Sequence, residues 1–367
     1  DRADVFCSTE EGIKGKRAQE WGLVDEVIAN STFEETVTSR AREFASSSKK
    51  TDVKQGIKLG PLTKSIADDG SLSYSTVQVI LNRTARTATI TLTGPDKAAP
   101  LDIANFEAQG DQAYLLRMAR ELDDAILHLR LNETEVGLWI FRSEGDPQIL
   151  AAHENLLMQN IDNWLANEVR QYLKRILKRI DVTSRSMVAL IEHGSCFNGF
   201  FAELLFAVDR SYMMEDEFEN DPRPIATITL TDDNFGTYRM ANGLSRIETR
   251  FWGTPNFVEA AKKKIGEPLE AAVADDLGLV TVILDDIDWE DEIRIFIEER
   301  ASFSPDAMTG MEANLRFVGP ETMETRIFGR LTAWQNWIFI RPNAVGPDGA
   351  LQRYGSGKRG NYNMDRV

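Results

Sequence analysis

The clearest pattern in the chain is an alternation of apolar and polar residues over "STVQVILNRTARTATITLTGP", which starts at Ser75. The alternation continues on both sides of "NRTAR" and predicts a β-hairpin, because successive side chains of a strand point to opposite faces. Two later runs, "VGLWIF" and "SMVALIE", are almost entirely apolar. Such runs are typical of strands that are buried on both faces.

Between these strands the apolar residues recur at helical spacing. Residues 160–180 predict one long helix, and an earlier segment has an apolar face formed by Leu115, Met118, Leu122, Ile126 and Leu129. Strands that alternate with helices after an opening hairpin indicate an α/β fold whose strands are largely parallel.

The frame A-x-x-x-G-L-V occurs twice, at Ala18–Val24 and at Ala274–Val280. The separation is too wide for a solenoid, whose repeats span about 20–50 residues. We interpret the frame as the end of a domain that occurs twice. The first copy is expected to lack its N-terminal part. Around Ala18–Val24 the sequence predicts a helix, a Gly-Leu-Val stop and a terminal strand. The predicted organisation is a domain tail at 1–46, a linker at 47–73, a complete domain at 74–291 and a helical extension at 292–367.

Composition narrows the possible functions. The net charge of −16 argues against a nucleic-acid partner, which normally requires a basic surface. Only Cys7 and Cys196 are present, so no disulfide framework is indicated and a cytoplasmic location is expected. No apolar run reaches the roughly 18 residues of a transmembrane helix, so no membrane partner is expected. No ligand cluster indicates a metal.

The segment "HGSCFNGFFAELLFAVDR" follows the second buried strand and resembles the signature of the crotonase (enoyl-CoA hydratase/isomerase) superfamily. That signature has a strand, a glycine-rich turn and a helix that opens with Glu-Leu, with an aspartate six residues after the glutamate. Glu203 and Asp209 keep this spacing and Gly199 keeps one glycine, whereas Phe200 and Phe201 replace others. The resemblance implies a crotonase-like ββα spiral. The repeated A-x-x-x-G-L-V frame matches the closing element of that spiral.

The resemblance also implies a site that binds a coenzyme A thioester. Two backbone N–H groups of an oxyanion hole would stabilise the enolate-like oxygen, one of them at a helix N-terminus. The family spacing assigns these donors to Phe200 and Ala151. It assigns the catalytic carboxylates to Glu203 and to Asp232, which lies four residues before Gly236 in "TDDNFG".

Several of these residues have a structural alternative. Glu203 near a helix start also complements the helix dipole, and Asp232 also fits a turn or cap. His193 is either a base or a core histidine, and the sequence favours packing for Cys196. The basic helix that contains Arg170 and Lys174 is either a solvated face or a contact for the coenzyme A nucleotide.

Further segments, among them "RELDDAILHLR" and "GPETMETRIFGRLTAWQNWIFIRPNAVG", resemble the benzoyl-CoA-dihydrodiol lyase family over essentially the whole chain. This resemblance implies opening of the 2,3-epoxybenzoyl-CoA ring with release of formate and an open-chain aldehyde thioester. One carboxylate would activate water and an acid would protonate the epoxide or a ring carbon. No cofactor is expected, because coenzyme A is part of the substrate.

Two alternatives remain open for the function: another crotonase-type acyl-CoA hydratase or isomerase, or a non-catalytic scaffold half of such an enzyme. The family has two crotonase-like halves, so this chain alone is expected not to open the ring at a useful rate. Residues 319–341 predict a helix with an apolar stripe that mediates a homodimer, with packing inside the chain as the alternative. The stripe consists of Phe328, Leu331, Trp334, Trp337 and Ile338.

Overall fold

A computed structural model describes residues 1–48, 56–215 and 222–366 of the chain. The chain divides into two compact units, Asp1–Ile57 and Lys58–Val367. The division falls inside the predicted linker 47–73, of which residues 49–55 lie outside the described residues. Among the described residues, no helix combines the length and apolarity that crossing a membrane requires.

The first unit contains three helices, α1 (Arg2–Ser8), α2 (Gly15–Glu20) and α3 (Phe33–Ser47), and a 3₁₀ turn at Asn30–Thr32. The prediction of a terminal strand after Gly22 is wrong, because the described residues of this unit form no strand. A strand needs a neighbour that accepts and donates its backbone hydrogen bonds, and residues 1–48 and 56–57 form none.

The repeated A-x-x-x-G-L-V frame nevertheless adopts one backbone conformation in both places. Gly22 and Gly278 have φ of +72° and +65°. In the first copy Leu23 N–H donates to Ala18 O at 2.9 Å, and in the second Leu279 N–H donates to Ala274 O at 2.9 Å. This pattern is a Schellman helix end, in which glycine adopts the left-handed conformation. The two segments therefore share the same local helix end, and the duplicated domain stays a prediction.

The second unit has an eight-stranded sheet in the order β1-β2-β3-β4-β5-β6-β8-β11 and a small sheet in the order β10-β9-β7. The large sheet is antiparallel from β1 to β4 and parallel from β4 to β11. The strands are β1 Ser65–Ile66, β2 Leu72–Ser73, β3 Val77–Asn82, β4 Thr87–Thr93, β5 Leu138–Glu144, β6 Ser186–Ile191, β7 Phe197–Asn198, β8 Arg210–Met214, β9 Ile228–Thr229, β10 Pro268–Leu269 and β11 Val282–Leu284.

The helices of the second unit lie between its strands and after them in the sequence. They are α4 Ile103–Gln109, α5 Tyr114–Asn132, α6 Pro147–Gln159, α7 Trp164–Asp181, α8 Phe200–Ala207, α9 Arg246–Arg250, α10 Pro255–Lys262, α11 Ala271–Asp276, α12 Asp286–Ser302, α13 Pro305–Leu315, α14 Met323–Arg326, α15 Thr332–Ile338, α16 Pro342–Val345 and α17 Ala350–Arg353. Short 3₁₀ turns occur at Gly110–Gln112 and Asp232–Phe235, and a π-helical stretch, Ile327–Leu331, joins α14 to α15.

The hairpin and both buried strands are confirmed as β3/β4, β5 and β6. The five residues of the predicted apolar face of α5 are all buried. Every residue of β6 is buried as well, which is typical of a strand in the interior of a parallel sheet. α12 runs without a break through the predicted boundary at 291.

Candidate active site

The candidate site lies where β6 ends and α8 begins. Gly199 has a φ of +51°, which a residue with a side chain rarely adopts, and it forms the N-cap of α8. All eight residues of α8 are buried. Phe200 and Phe201 are completely inaccessible, and the Phe200 ring packs edge-on against Tyr238 at 5.7 Å. The two phenylalanines in the glycine run are therefore core residues.

Glu203 stands in the first turn of α8, as the sequence predicted, with 1% of its surface exposed. Its Oε1 accepts a hydrogen bond from Asn234 Nδ2 at 2.9 Å. Its Oε2 pairs with Arg246 Nη1 at 3.0 Å. Burial raises the pKa of Glu203 to about 7, although Arg246 acts in the opposite direction.

Arg246 connects Glu203 to a second buried carboxylate. Its guanidinium pairs with Asp181 at 2.6 Å and also donates to the carbonyl oxygen of Tyr238 at 2.8 Å. Burial raises the pKa of Asp181 as well. Two carboxylates therefore share one cation away from water, and this arrangement favours retention of one proton near neutral pH.

The amide of Phe200, the predicted oxyanion donor, already has a partner. It donates to Oε1 of Glu154 at 2.8 Å. Glu154 is 3% exposed, its Oε2 has no hydrogen-bond partner, and burial raises its pKa well above the usual value. A Cβ on Gly199 would lie 1.7 Å from Glu154 Oε2. The carboxyl group of Glu154 therefore occupies the helix N-terminus where a thioester oxygen would bind.

Ala151 and Asp232 both line a cavity of about 760 Å³ beside this helix N-terminus. Ala151 is the fifth residue of α6, past the first-turn amides that a helix leaves unpaired. Its position therefore gives no free N–H for an oxyanion. Asp232 is exposed in the 3₁₀ turn Asp232–Phe235, so its carboxylate is available to a ligand in the cavity.

Asp233, the next residue along the chain, was not predicted as a site residue. Asp233 also lines the cavity but is only 4% exposed, and its Oδ1 has no hydrogen-bond partner. Burial raises the pKa of Asp233. Asn198 Oδ1, on the same cavity wall, is likewise buried and without a partner. Unpaired buried polar atoms are costly, so these two favour a polar ligand or water in the cavity.

Cys196 is buried, and burial raises its pKa to about 12. A thiol in this state is a poor nucleophile, which supports the packing interpretation. His193 is buried too. On the basic helix α7, Arg179 pairs with Asp123 at 2.7 Å and Arg175 lies over the Tyr172 ring. Among the described residues, no group of three or more His, Cys, Asp or Glu is arranged to hold a metal ion.

Comparison with known structures identifies the class of fold. An enoyl-CoA hydratase of Geobacillus kaustophilus superimposes with a TM-score of 0.57 at 16% identity, over 80% of this chain and 98% of that one. An enoyl-CoA hydratase of Bacillus anthracis gives a TM-score of 0.54 at 14% identity, and the superposition covers 79% of this chain and 100% of that one. The chain has the crotonase fold. No protein-family model matches it.

Comparison of amino-acid sequences identifies a relative with a named activity. The chain is 48% identical to the benzoyl-CoA-dihydrodiol lyase of Aromatoleum evansii over 368 aligned residues, which cover 100% of this chain. It spans 65% of the length of that relative. The chain is thus a crotonase-fold relative of benzoyl-CoA-dihydrodiol lyase, as the sequence patterns predicted.

The raised pKa of Glu203 makes a prediction for stability. The folded state holds this proton more tightly than an unfolded glutamate with a pKa near 4.5, so the contribution of Glu203 to stability falls as pH rises from 4.5 through 7. In the Glu203→Gln variant the side chain at this position does not titrate. We expect the free energy of unfolding of the variant, relative to the unsubstituted chain, to increase by about 2–3 kcal/mol between pH 5 and pH 8. Urea denaturation across this range measures the difference.

Glu259→Gln provides the matched control, because the carboxylate of Glu259 is exposed beside Lys262. Its stability should follow that of the unsubstituted chain at every pH. Parallel pH profiles for Glu203→Gln and the unsubstituted chain would contradict the assignment of a buried, titrating Glu203.

Proposed function

We propose that the protein opens the ring of 2,3-epoxybenzoyl-CoA by addition of water, with release of formate and an open-chain aldehyde thioester. The observation that carries this proposal is the 48% identity to benzoyl-CoA-dihydrodiol lyase along the whole chain. The substrate is an acyl-CoA of an aromatic acid, and the enzyme is a lyase of the crotonase superfamily that acts in the cytoplasm. It uses no cofactor besides the coenzyme A that the substrate carries.

A second candidate concerns the unit Lys58–Val367 alone: it is a non-catalytic scaffold of that enzyme. Glu154 favours this candidate, because its carboxyl group accepts the Phe200 N–H on which oxyanion stabilisation would depend. Glu203 favours it as well, since both of its oxygens are engaged by Asn234 and Arg246. In the catalytic alternative, Glu203 and Asp232 act as the acid–base pair and Phe200 is the oxyanion donor, whereas Ala151, at the fifth position of α6, has no free N–H to contribute.

The substrate class is tested by binding. We expect the 367-residue chain to bind benzoyl-CoA at least about tenfold more tightly than benzoate, because the nucleotide adds contacts that a free acid lacks. Isothermal titration calorimetry measures both, and free coenzyme A separates the contribution of the acyl group. Equal affinities for benzoyl-CoA and benzoate would exclude a thioester site.

We also propose a homodimer formed through the helical segment Met323–Ile338. The helix itself agrees with the prediction for residues 319–341. Trp334 packs against Gly310 of α13, at 3.7 Å from the position of an added Cβ. In contrast, Phe328 is 73% exposed and Leu331 is 49% exposed. An exposed aromatic and aliphatic face of this kind is typical of an association surface.

The homodimer prediction is that sedimentation velocity at micromolar concentration shows a dimer, and that Phe328→Glu converts it to a monomer. The reason is that a charge at the centre of an apolar interface is costly to desolvate. Leu101→Glu is the control, since Leu101 is 94% exposed and lies outside the segment. A monomeric unsubstituted chain would rule out the dimer.

A further inference from the structure

Four arginines gather at the amino edge of the parallel sheet, opposite the end where β6 leads into α8. The strand register brings two of them together: Thr87 pairs with Leu138, and Leu138 pairs with Ser186. The residues one position earlier are Arg86, Gly137 and Arg185, so Gly137 lies between the two arginines. Adjacent strands are about 4.8 Å apart, so Gly137 lies next to each arginine while the backbones of Arg86 and Arg185 are about 10 Å apart, a distance that two long side chains can bridge.

A third arginine occupies the space where a side chain of Gly137 would lie. Arg366 Nη2 donates to the carbonyl oxygen of Gly137 at 3.2 Å and would lie 2.6 Å from a Cβ on that residue. Arg130 is the fourth member: it lies in the last turn of α5, which ends at Asn132, five residues before Gly137, and its charge acts on Arg185. We call Arg86, Arg130, Arg185 and Arg366 the arginine cluster.

Two members of the cluster are buried without an ion-pair partner among the described residues. Arg185 is 5% exposed and Arg366 is 8% exposed, and the Nε of each is buried without a hydrogen-bond partner. Burial and mutual repulsion lower the pKa of Arg185 to about 9 and that of Arg366 to about 10. Arg86 and Arg130 are half-buried, and burial lowers the pKa of each of them too.

The nearest acids offset these charges only in part: Glu312 and Asp306 raise the pKa of Arg366 and Glu135 raises that of Arg86, but burial lowers both pKa values more strongly. Glu312 pairs with Arg316 at 3.0 Å and Asp306 pairs with Arg341 at 3.1 Å, so both carboxylates are already matched. Glu135, close to Arg86, is exposed. Within the described parts of the chain, no member of the arginine cluster forms an ion pair with an acidic side chain.

A buried cation without a partner is strongly unfavourable, and the half-buried Arg86 and Arg130 add to the cost of burying Arg185 and Arg366. The guanidinium group is the side chain best matched to the oxygens of phosphate. We propose that the arginine cluster binds a multiply charged oxyanion of the phosphate class at the amino edge of the sheet. Arg185 and Arg366 form the floor of this site, and the half-buried Arg86 and Arg130 form its entrance. The proposal is independent of the proposed function, because the cluster lies at the opposite end of the strands from α8.

The ligand comes from one of two sources, free inorganic phosphate or the phosphate groups of a nucleotide such as adenosine 3′,5′-bisphosphate. Isothermal titration of the 367-residue chain with each probe, in chloride buffer of matched ionic strength, distinguishes them. We expect saturable binding of at least one probe. The same probe should raise the melting temperature more than chloride does at equal ionic strength.

Substitutions test the location. Arg185→Met should weaken binding at least about tenfold, because it removes the most buried charge of the site. In chloride alone the same variant should be at least as stable as the unsubstituted chain, whereas a purely structural arginine would give a loss. Arg130→Met, at the half-buried entrance, should also weaken binding and covers the case in which Arg185→Met does not fold. Arg294→Met is the control, because Arg294 is exposed on α12 and outside the arginine cluster, and it should bind normally.

The proposal is overturned if neither probe binds in a saturable manner. It is also overturned if Arg185→Met, or Arg130→Met in its place, retains the full affinity.

Discussion

Replacement of Arg246 with methionine should lower the free energy of unfolding by about 3–5 kcal/mol at pH 8. The guanidinium is 1% exposed and is shared by Glu203 and Asp181. Its removal leaves two buried carboxylates without a cation. The deficit should shrink toward pH 5, because burial raises the pKa of both carboxyl groups and they then take up protons. Urea denaturation at several pH values measures the effect.

Arg294→Met is the matched control for this prediction. Arg294 also contacts two carboxylates, those of Asp291 and Glu298, each at 3.1 Å, but it is exposed on α12. Exposed ion pairs contribute at most about 1 kcal/mol, so this variant should remain close to the unsubstituted chain. Equal losses for the two variants would show that Arg246 does not hold a buried network together.

The second large effect concerns turnover. The 367-residue chain should release formate from 2,3-epoxybenzoyl-CoA at least about 10²-fold more slowly than the Aromatoleum evansii lyase under the same conditions. A single lost oxyanion donor costs about 10²–10³-fold in rate, and a lost general acid or base costs about 10²–10⁴-fold. In this chain the Phe200 amide is occupied by Glu154, and Glu203 is held by Arg246 and Asn234. A coupled formate assay provides the measurement.

Glu203→Gln separates the two candidates in the same assay. If the unit Lys58–Val367 is a scaffold, the variant should leave the residual rate unchanged within about twofold, well inside the effect of a catalytic carboxylate. Turnover near that of the relative, abolished by Glu203→Gln, would assign catalysis to Glu203. Asp232→Asn in that case identifies the second carboxylate.

Much of the fold could be predicted because it depends on local patterns. The alternation around "NRTAR" determined the β3/β4 hairpin, and helical spacing of apolar residues determined α5. The glycine at position 199 and the Glu-Leu pair after it placed Glu203 in the first turn of a buried helix. The strand expected after Gly22 did not form, because a strand depends on a neighbour that local sequence does not supply.

The chemistry of the site depends on contacts between distant parts of the chain. Glu154 is 46 residues from Phe200, and Arg246 is 43 residues from Glu203. No spacing rule connects such residues. The choice between Asp232 and Asp233 is set by a 3₁₀ turn that buries one carboxylate and exposes its neighbour. The sequence therefore indicated a loop that lines the cavity, but not the buried carboxylate of Asp233 in it.

The close approach of Glu154 to Gly199 has an evolutionary consequence. A Cβ at position 199 would overlap the carboxyl group of Glu154, so we expect substitutions at the two positions to be epistatic. A side chain at 199 would meet both this overlap and the strain of a φ of +51°, whereas residue 154 is free to shorten while 199 remains glycine. A shorter residue 154 would also leave the Phe200 amide vacant. In a diverging lineage, a change at position 154 should therefore precede any change at position 199.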